Sequence, residues 1–150
     1  MNVTHTLLTI GSVVLAAVLG NLWVSKDALR WFRELRWPRW MVPFQAFLVV
    51  GLVYYVLMGV VLYRAFDRGD VPAIALSFAV LVGNEAWNGL FFGRRSPRAG
   101  FLGMLAFTVP VLALLIAVTE DPLSLALVAT YLAWVLYDIA WTHALYRLNP

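Results

Sequence analysis

Five mainly apolar stretches, each close to the length that crosses a bilayer, constrain this chain more than any other feature. They run over Val3–Val24, Val42–Phe66, Val71–Phe92, Gly100–Val118 and Pro122–Tyr146. Backbone groups in hydrocarbon find no water, so a run of roughly 20 such residues closes its own hydrogen bonds as a helix. The breaks carry turn chemistry and charge: Asp67-Arg68-Gly69-Asp70, Gly93-Arg94-Arg95-Ser96-Pro97-Arg98 and Glu120-Asp121-Pro122. Charged residues make up 13% of the chain, against about 25% for a soluble domain. The expected fold is an all-α integral membrane protein. It is a single five-helix transmembrane domain over residues 1–150, with a structured loop between helices one and two. Met1 to Thr6 hold no Lys or Arg and the first run is long for a signal sequence, so it reads as a retained span.

Charge sets the expected orientation. The first loop holds Lys26, Arg30, Arg33, Arg36 and Arg39, the third holds Arg94, Arg95 and Arg98, and Arg147 follows the last span. Five spans put these segments on one side, which carries nine of the eleven cations and should face the cytoplasm. The expected location is a cytoplasmic membrane of prokaryotic type, N-terminus outside. Arg64 and Arg68 in the second loop are read as balanced by Asp67 and Asp70.

Several chemistries find no support. The chain has no cysteine, so there is no disulfide or thiolate site. His5 and His143 stand in no metal-ligand pattern, and Ser77 has no evident base. No phosphate-cradling glycine loop is present, and the cations sit at span ends, which argues against nucleic acid. No metal, cofactor or catalytic residue is assigned. Pro110 should kink the fourth span. Gly11, Gly20, Gly51, Gly59 and Gly83 are read as permitting close helix contact.

Two helix stripes mix aromatics with hydrogen-bonding groups. Tyr131, Trp134, Asp138, Trp141, Thr142 and Leu145 recur at three- and four-residue spacing, as do Asn84, Trp87, Asn88 and Phe91. On residue chemistry alone these are either packing aromatics with one satisfied Asn, or the wall of a cavity for a flat, mostly apolar ligand. Glu85 and Asp138 should lie at similar depth; they either meet as a proton-sharing pair or find separate partners.

Trp31, Phe32, Leu35, Pro38, Trp40 and Pro43 in the first loop resemble the W-Y-x-x-L-x-K-P-x-W-x-P-P pattern of the translocator protein family, also called tryptophan-rich sensory proteins or peripheral benzodiazepine receptors. Phe47, Tyr55, Met58 and Gly59 resemble its second-helix segment. Asn84, Trp87, Leu90, Phe91 and Phe92 resemble its third, and Asp121, Tyr131, Trp134, Leu148 and Asn149 its ending. The departures are Trp37 for a lysine, Val42 and Thr130 for prolines, Gly51 for a tryptophan, Asp138 for a small residue and Thr142 for an asparagine.

The resemblance implies a membrane receptor or carrier for a hydrophobic planar ligand, such as a porphyrin, a haem-pathway intermediate or a sterol-like molecule, and a homodimer. With the stripes, it implies cavity-wall residues Tyr55, Asn84, Trp87, Trp134 and Asp138, with Trp31, Phe32 and Pro38 in a lid. A lid role and a lipid-contacting anchor both suit the loop. Three alternatives are a porphyrin-degrading enzyme, which Gly51 counts against, a proton-coupled transporter using Glu85 and Asp138, and a purely structural partner.

Overall fold

The computed structural model describes residues 2–150 as six helices and one π-helical turn, with no strand among them. Helix α1 covers Val3–Asn21, α2 Lys26–Glu34, α3 Phe44–Arg68, α4 Val71–Asn88, α5 Pro97–Ala117 and α6 Pro122–Leu148. The π-helical turn, Gly89–Gly93, continues α4. All but α2 are long and apolar enough to span, and their ends lie within a few residues of the sequence expectation. This is a five-helix membrane bundle.

Local chemistry places the ends. Asn2 Oδ1 accepts from the Thr4 amide at 2.9 Å, Asp70 Oδ1 from Ala73 at 3.1 Å and Ser96 Oγ from Ala99 at 3.2 Å. Each satisfies a donor that a helix start leaves open. Pro97 and Pro122 open α5 and α6, where a missing N–H costs nothing. Gly69 closes α3 in the left-handed region at φ 65°, so α4 follows after a single further residue. Pro110 sits inside α5, which runs through it from Pro97 to Ala117.

Helix α5 packs between α4 and α6, α1 lies on α3 and α4, and α3 also meets α4 and α6. Met58, Val61 and Leu62 of α3 meet Val80, Leu81, Val111 and Val135 in a dry core. A second cluster, Phe32, Phe91, Trp141 and Leu145, fills the end beneath the first loop. Outward positions such as Ile10, Val56, Val109 and Ile116 are exposed and apolar, as a lipid-facing surface requires.

The cations of the second loop find a further partner outside it. Arg64 donates twice to Asp121, at 2.7 and 2.6 Å, and Arg68 reaches the same carboxylate at 2.6 Å. Ser124 Oγ adds a fourth donor at 2.6 Å. Arg68 does reach Asp70 at 3.2 Å, but Asp67 approaches only His5, at 3.9 Å. Asp121 wins because its buried carboxylate needs several donors, and the end of α3 presents two guanidinium groups to it.

The glycine reading changes. A Cβ at Gly20 would overlap the Glu85 carboxyl, and one at Gly83 would come within 2.9 Å of Phe107. Gly59 has ordinary contacts, and Gly11 and Gly51 have no neighbouring atom within 4 Å of that position among the described residues. Close helix approach therefore depends on Gly20 and Gly83, not on all five.

Candidate functional site

The first loop is more regular than a shaped coil. Ser25 Oγ accepts from the Ala28 amide at 3.1 Å, Asp27 lies in the first turn, and Ala28 and Phe32 one turn apart are buried, so residues 26–34 form an amphipathic helix. Phe32 enters the aromatic cluster, with ring centroids 5.7 Å from Phe91 and 6.3 Å from Trp141. Four hydrogen bonds shape the following strap. Trp37 Nε1 donates to the Phe32 carbonyl at 3.0 Å, and the Val42 amide donates to Tyr137 Oη at 2.9 Å. Asn149 Oδ1 accepts from the Arg36 amide at 2.9 Å, while its Nδ2 donates back to the Arg36 carbonyl at 3.1 Å.

Beneath this loop lies a cavity of about 310 Å³, between the dry core and the aromatic cluster. Helices α3, α4 and α6 supply most of the wall, and Phe32 and Leu29 of α2 close one end. Of the residues anticipated for a site, Tyr55, Asn84, Trp87, Trp134, Asp138 and Phe32 all line it. Trp31 and Pro38 do not: Trp31 packs edge-on against Phe91 at 5.4 Å, behind the wall.

The stripes divide in the same way. Trp141 and Asn88 line the cavity, whereas Phe91 stacks behind Trp87 at 5.3 Å and 7°. Thr142 is buried and spends its hydroxyl on the Asp138 carbonyl at 2.6 Å, and Leu145 joins the aromatic cluster. Asn21 was missed. It stands at the end of α1 and its Nδ2 donates to the Ala17 carbonyl at 3.1 Å, leaving only a polar residue in an apolar run as a signal.

Glu85 organises the polar side, although it stands behind the lining. Tyr55 Oη donates to its Oε1 at 2.7 Å, Asn84 Nδ2 to the same oxygen at 3.1 Å and Asn88 Nδ2 to Oε2 at 3.0 Å. Gly20 of α1 leaves the room that this carboxyl occupies. Asp138 takes its hydrogen bond from Trp141 Nε1 at 2.6 Å. The two acids thus have separate partners and share no hydrogen bond.

The α3 side of the wall is thin. Leu48 and Leu52 line the cavity yet are 61% and 69% exposed on the outer surface. Between them Gly51 presents no side chain. Opposite, the π-helical turn carries Trp23, whose ring lies 3.3 Å from where a Cβ of Gly89 would stand and 3.0 Å from that of Gly93. The half-exposed Trp23 is therefore seated on the π-helical turn.

The geometry agrees with what the chain resembles elsewhere. Residues 8–147 match the model of the TspO/MBR family. The chain is 28% identical to "Tryptophan-rich protein TspO" of Archaeoglobus fulgidus, covering 99% of both chains. A protein of the same name from Chlorobaculum tepidum is also 28% identical, covering 95% of this chain and 94% of that one. The human "Translocator protein" is 27% identical, with 90% of this chain and 84% of that one covered. The match to the family model over nearly the whole chain, five spanning helices included, shows that this protein belongs to the TspO/MBR family.

Proposed function

We propose that this protein is a membrane receptor or carrier for a flat, mostly apolar small molecule, of the porphyrin, haem-intermediate or sterol-like type, held in the cavity under α2. The observation that carries this reading is the wall itself. Indole and phenol faces from α3, α4 and α6 surround a space of about 310 Å³, and a few oriented polar groups stand on one side. Small-molecule sites share this combination of an apolar body and sparse polar groups. Tyr55, Asn84, Trp87, Trp134 and Asp138 form the contact surface and Phe32 the cover. Turnover of the ligand has less support, since Gly51 places no indole at its point of the wall. A proton-coupled transporter would use Glu85 and Asp138 as separate groups, since they bond to different partners.

Tryptophan fluorescence titration with protoporphyrin, haem and a sterol tests the proposal. Trp134→Ala is expected to weaken at least one of these by about tenfold, the order of an aromatic contact plus its burial. Leu136→Ala, on the exposed face of the same helix, should leave affinity unchanged. Equal affinities in both variants would remove the cavity as the binding site.

A further inference from the structure

The hydrogen-bond donors around the cavity are almost all spent on the protein itself. Tyr54 Oη donates to the Val80 carbonyl, Tyr55 Oη to Glu85 and Tyr131 Oη to Asn84 Oδ1, the last at 3.4 Å. Trp87 Nε1 donates to the Gly100 carbonyl and Trp141 Nε1 to Asp138. Asn21, Asn84 and Asn88 each commit their amide nitrogen to an internal acceptor, which leaves the amide oxygens of Asn21 and Asn88, and the second lone pair of the Asn84 oxygen beside Tyr131, as uncommitted acceptors. The remaining donors are the second hydrogen of each asparagine amide, since the Trp134 indole lies within hydrogen-bonding reach of Asp138.

Charge follows the same direction. The described lining contains no Lys, Arg or His. Asp138 lines the cavity at 8% exposure and takes its donors from indoles, Trp141 at 2.6 Å with Trp134 beside it. Glu85, 6% exposed just behind the wall, gathers three neighbouring donors, from Tyr55, Asn84 and Asn88. A carboxylate on a ligand placed against this wall would meet acceptors and other carboxyl groups, with few free donors to satisfy it, in a medium that screens little. A cation there would meet acceptors, carboxyl groups and the faces of Tyr55, Trp87 and Trp134.

The geometry points to a cavity whose ligand is a flat apolar molecule carrying a cationic nitrogen or hydrogen-bond donor toward the Asn84–Asp138 side, and which discriminates against a carboxylate at that position. This inference rests on the cavity reading above and narrows its ligand class.

Three probes of the same three-ring shape separate the two. N-methylacridinium is a fixed cation, anthracene is neutral and anthracene-9-carboxylate is an anion. Each is titrated by tryptophan quenching into the protein in phosphatidylcholine nanodiscs, with empty nanodiscs subtracted. The expected result is saturable binding of anthracene, with N-methylacridinium at least about tenfold tighter than the carboxylate. Glu85→Gln and Asp138→Asn keep side-chain shape, and at least one should cut that preference severalfold while anthracene still binds. Anthracene binding with equal affinity for the two charged probes would overturn the charge preference alone. So would a preference unchanged in both variants. No saturable binding by any probe would overturn the cavity reading and this inference with it.

Discussion

Glu85 shows what a single residue conveys in a sequence of this kind and what it withholds. An acid inside an apolar run is costly and therefore has a role, so its importance was legible. Its donors Asn84 and Asn88 are local, but its third donor and its seat were not legible, because Tyr55 lies thirty positions away and Gly20 belongs to another helix. Asp121 is the parallel case at the opposite end of the bundle. The hydrogen bond from Arg64 holds its carboxyl well below the usual carboxylate range; burial opposes this, and Ser124 and the charges of Arg64 and Arg68 add to it. A carboxyl depressed in the folded state stabilises fully above its unfolded value near about 3.9 and ceases to do so as pH falls through the folded value. Arg64 is 39% exposed, so solvent screens part of the effect. Asp121→Asn should lower the unfolding temperature by a few degrees at pH 7, and the gap from wild type should narrow below about pH 4. Thermal unfolding in detergent at both pH values measures this, and a gap of constant size would remove the ion cluster as its source.

At the scale of elements, the long helices were legible because bilayer thickness fixes their length and their ends carry Asp, Ser, Gly and Pro. Helix α2 was hidden by its own richness in Trp, Arg and Pro, which reads as an interfacial loop. The Ser25 cap and the Ala28–Phe32 spacing were its signal. The π-helical turn had no signal beyond its two glycines. The strap after α2 is tied to the end of α6 by Asn149, through two hydrogen bonds to the Arg36 backbone. Each neutral bond contributes about 0.5–1.5 kcal/mol. Asn149→Ala should therefore speed amide hydrogen exchange across residues 35–42 by roughly tenfold or more while α4 and α5 keep their protection. Mass spectrometry of exchanged peptides reads this out. Unchanged exchange in the strap would mean that Phe32 and Trp37 hold it without the latch.

For the whole molecule, hydropathy and charge were enough for the bundle, but not for the pairs that lock it. Arg64 and Asp121 are separated by 57 positions, and Arg36 and Asn149 by 113. No local period links such residues; only the packing of helices brings them together. Orientation is a property of the same scale, and the crowding of cations into the first and third loops predicts it. Arg94 and Glu120 are exposed at opposite ends of α5, so single cysteines there are suitable reporters. In intact cells an impermeant thiol reagent should label the cysteine at position 120 and spare the one at 94. The reverse pattern would invert the molecule in the membrane.

The thin α3 wall at Leu48, Gly51 and Leu52 has a consequence for how affinity is expressed. A cavity open toward acyl chains exchanges its occupant with the leaflet. The governing variable is then the occupant's mole fraction among lipids, not its molarity in water. Dissociation constants written in aqueous units would rise in proportion to the lipid or detergent present, while those written per lipid would stay fixed.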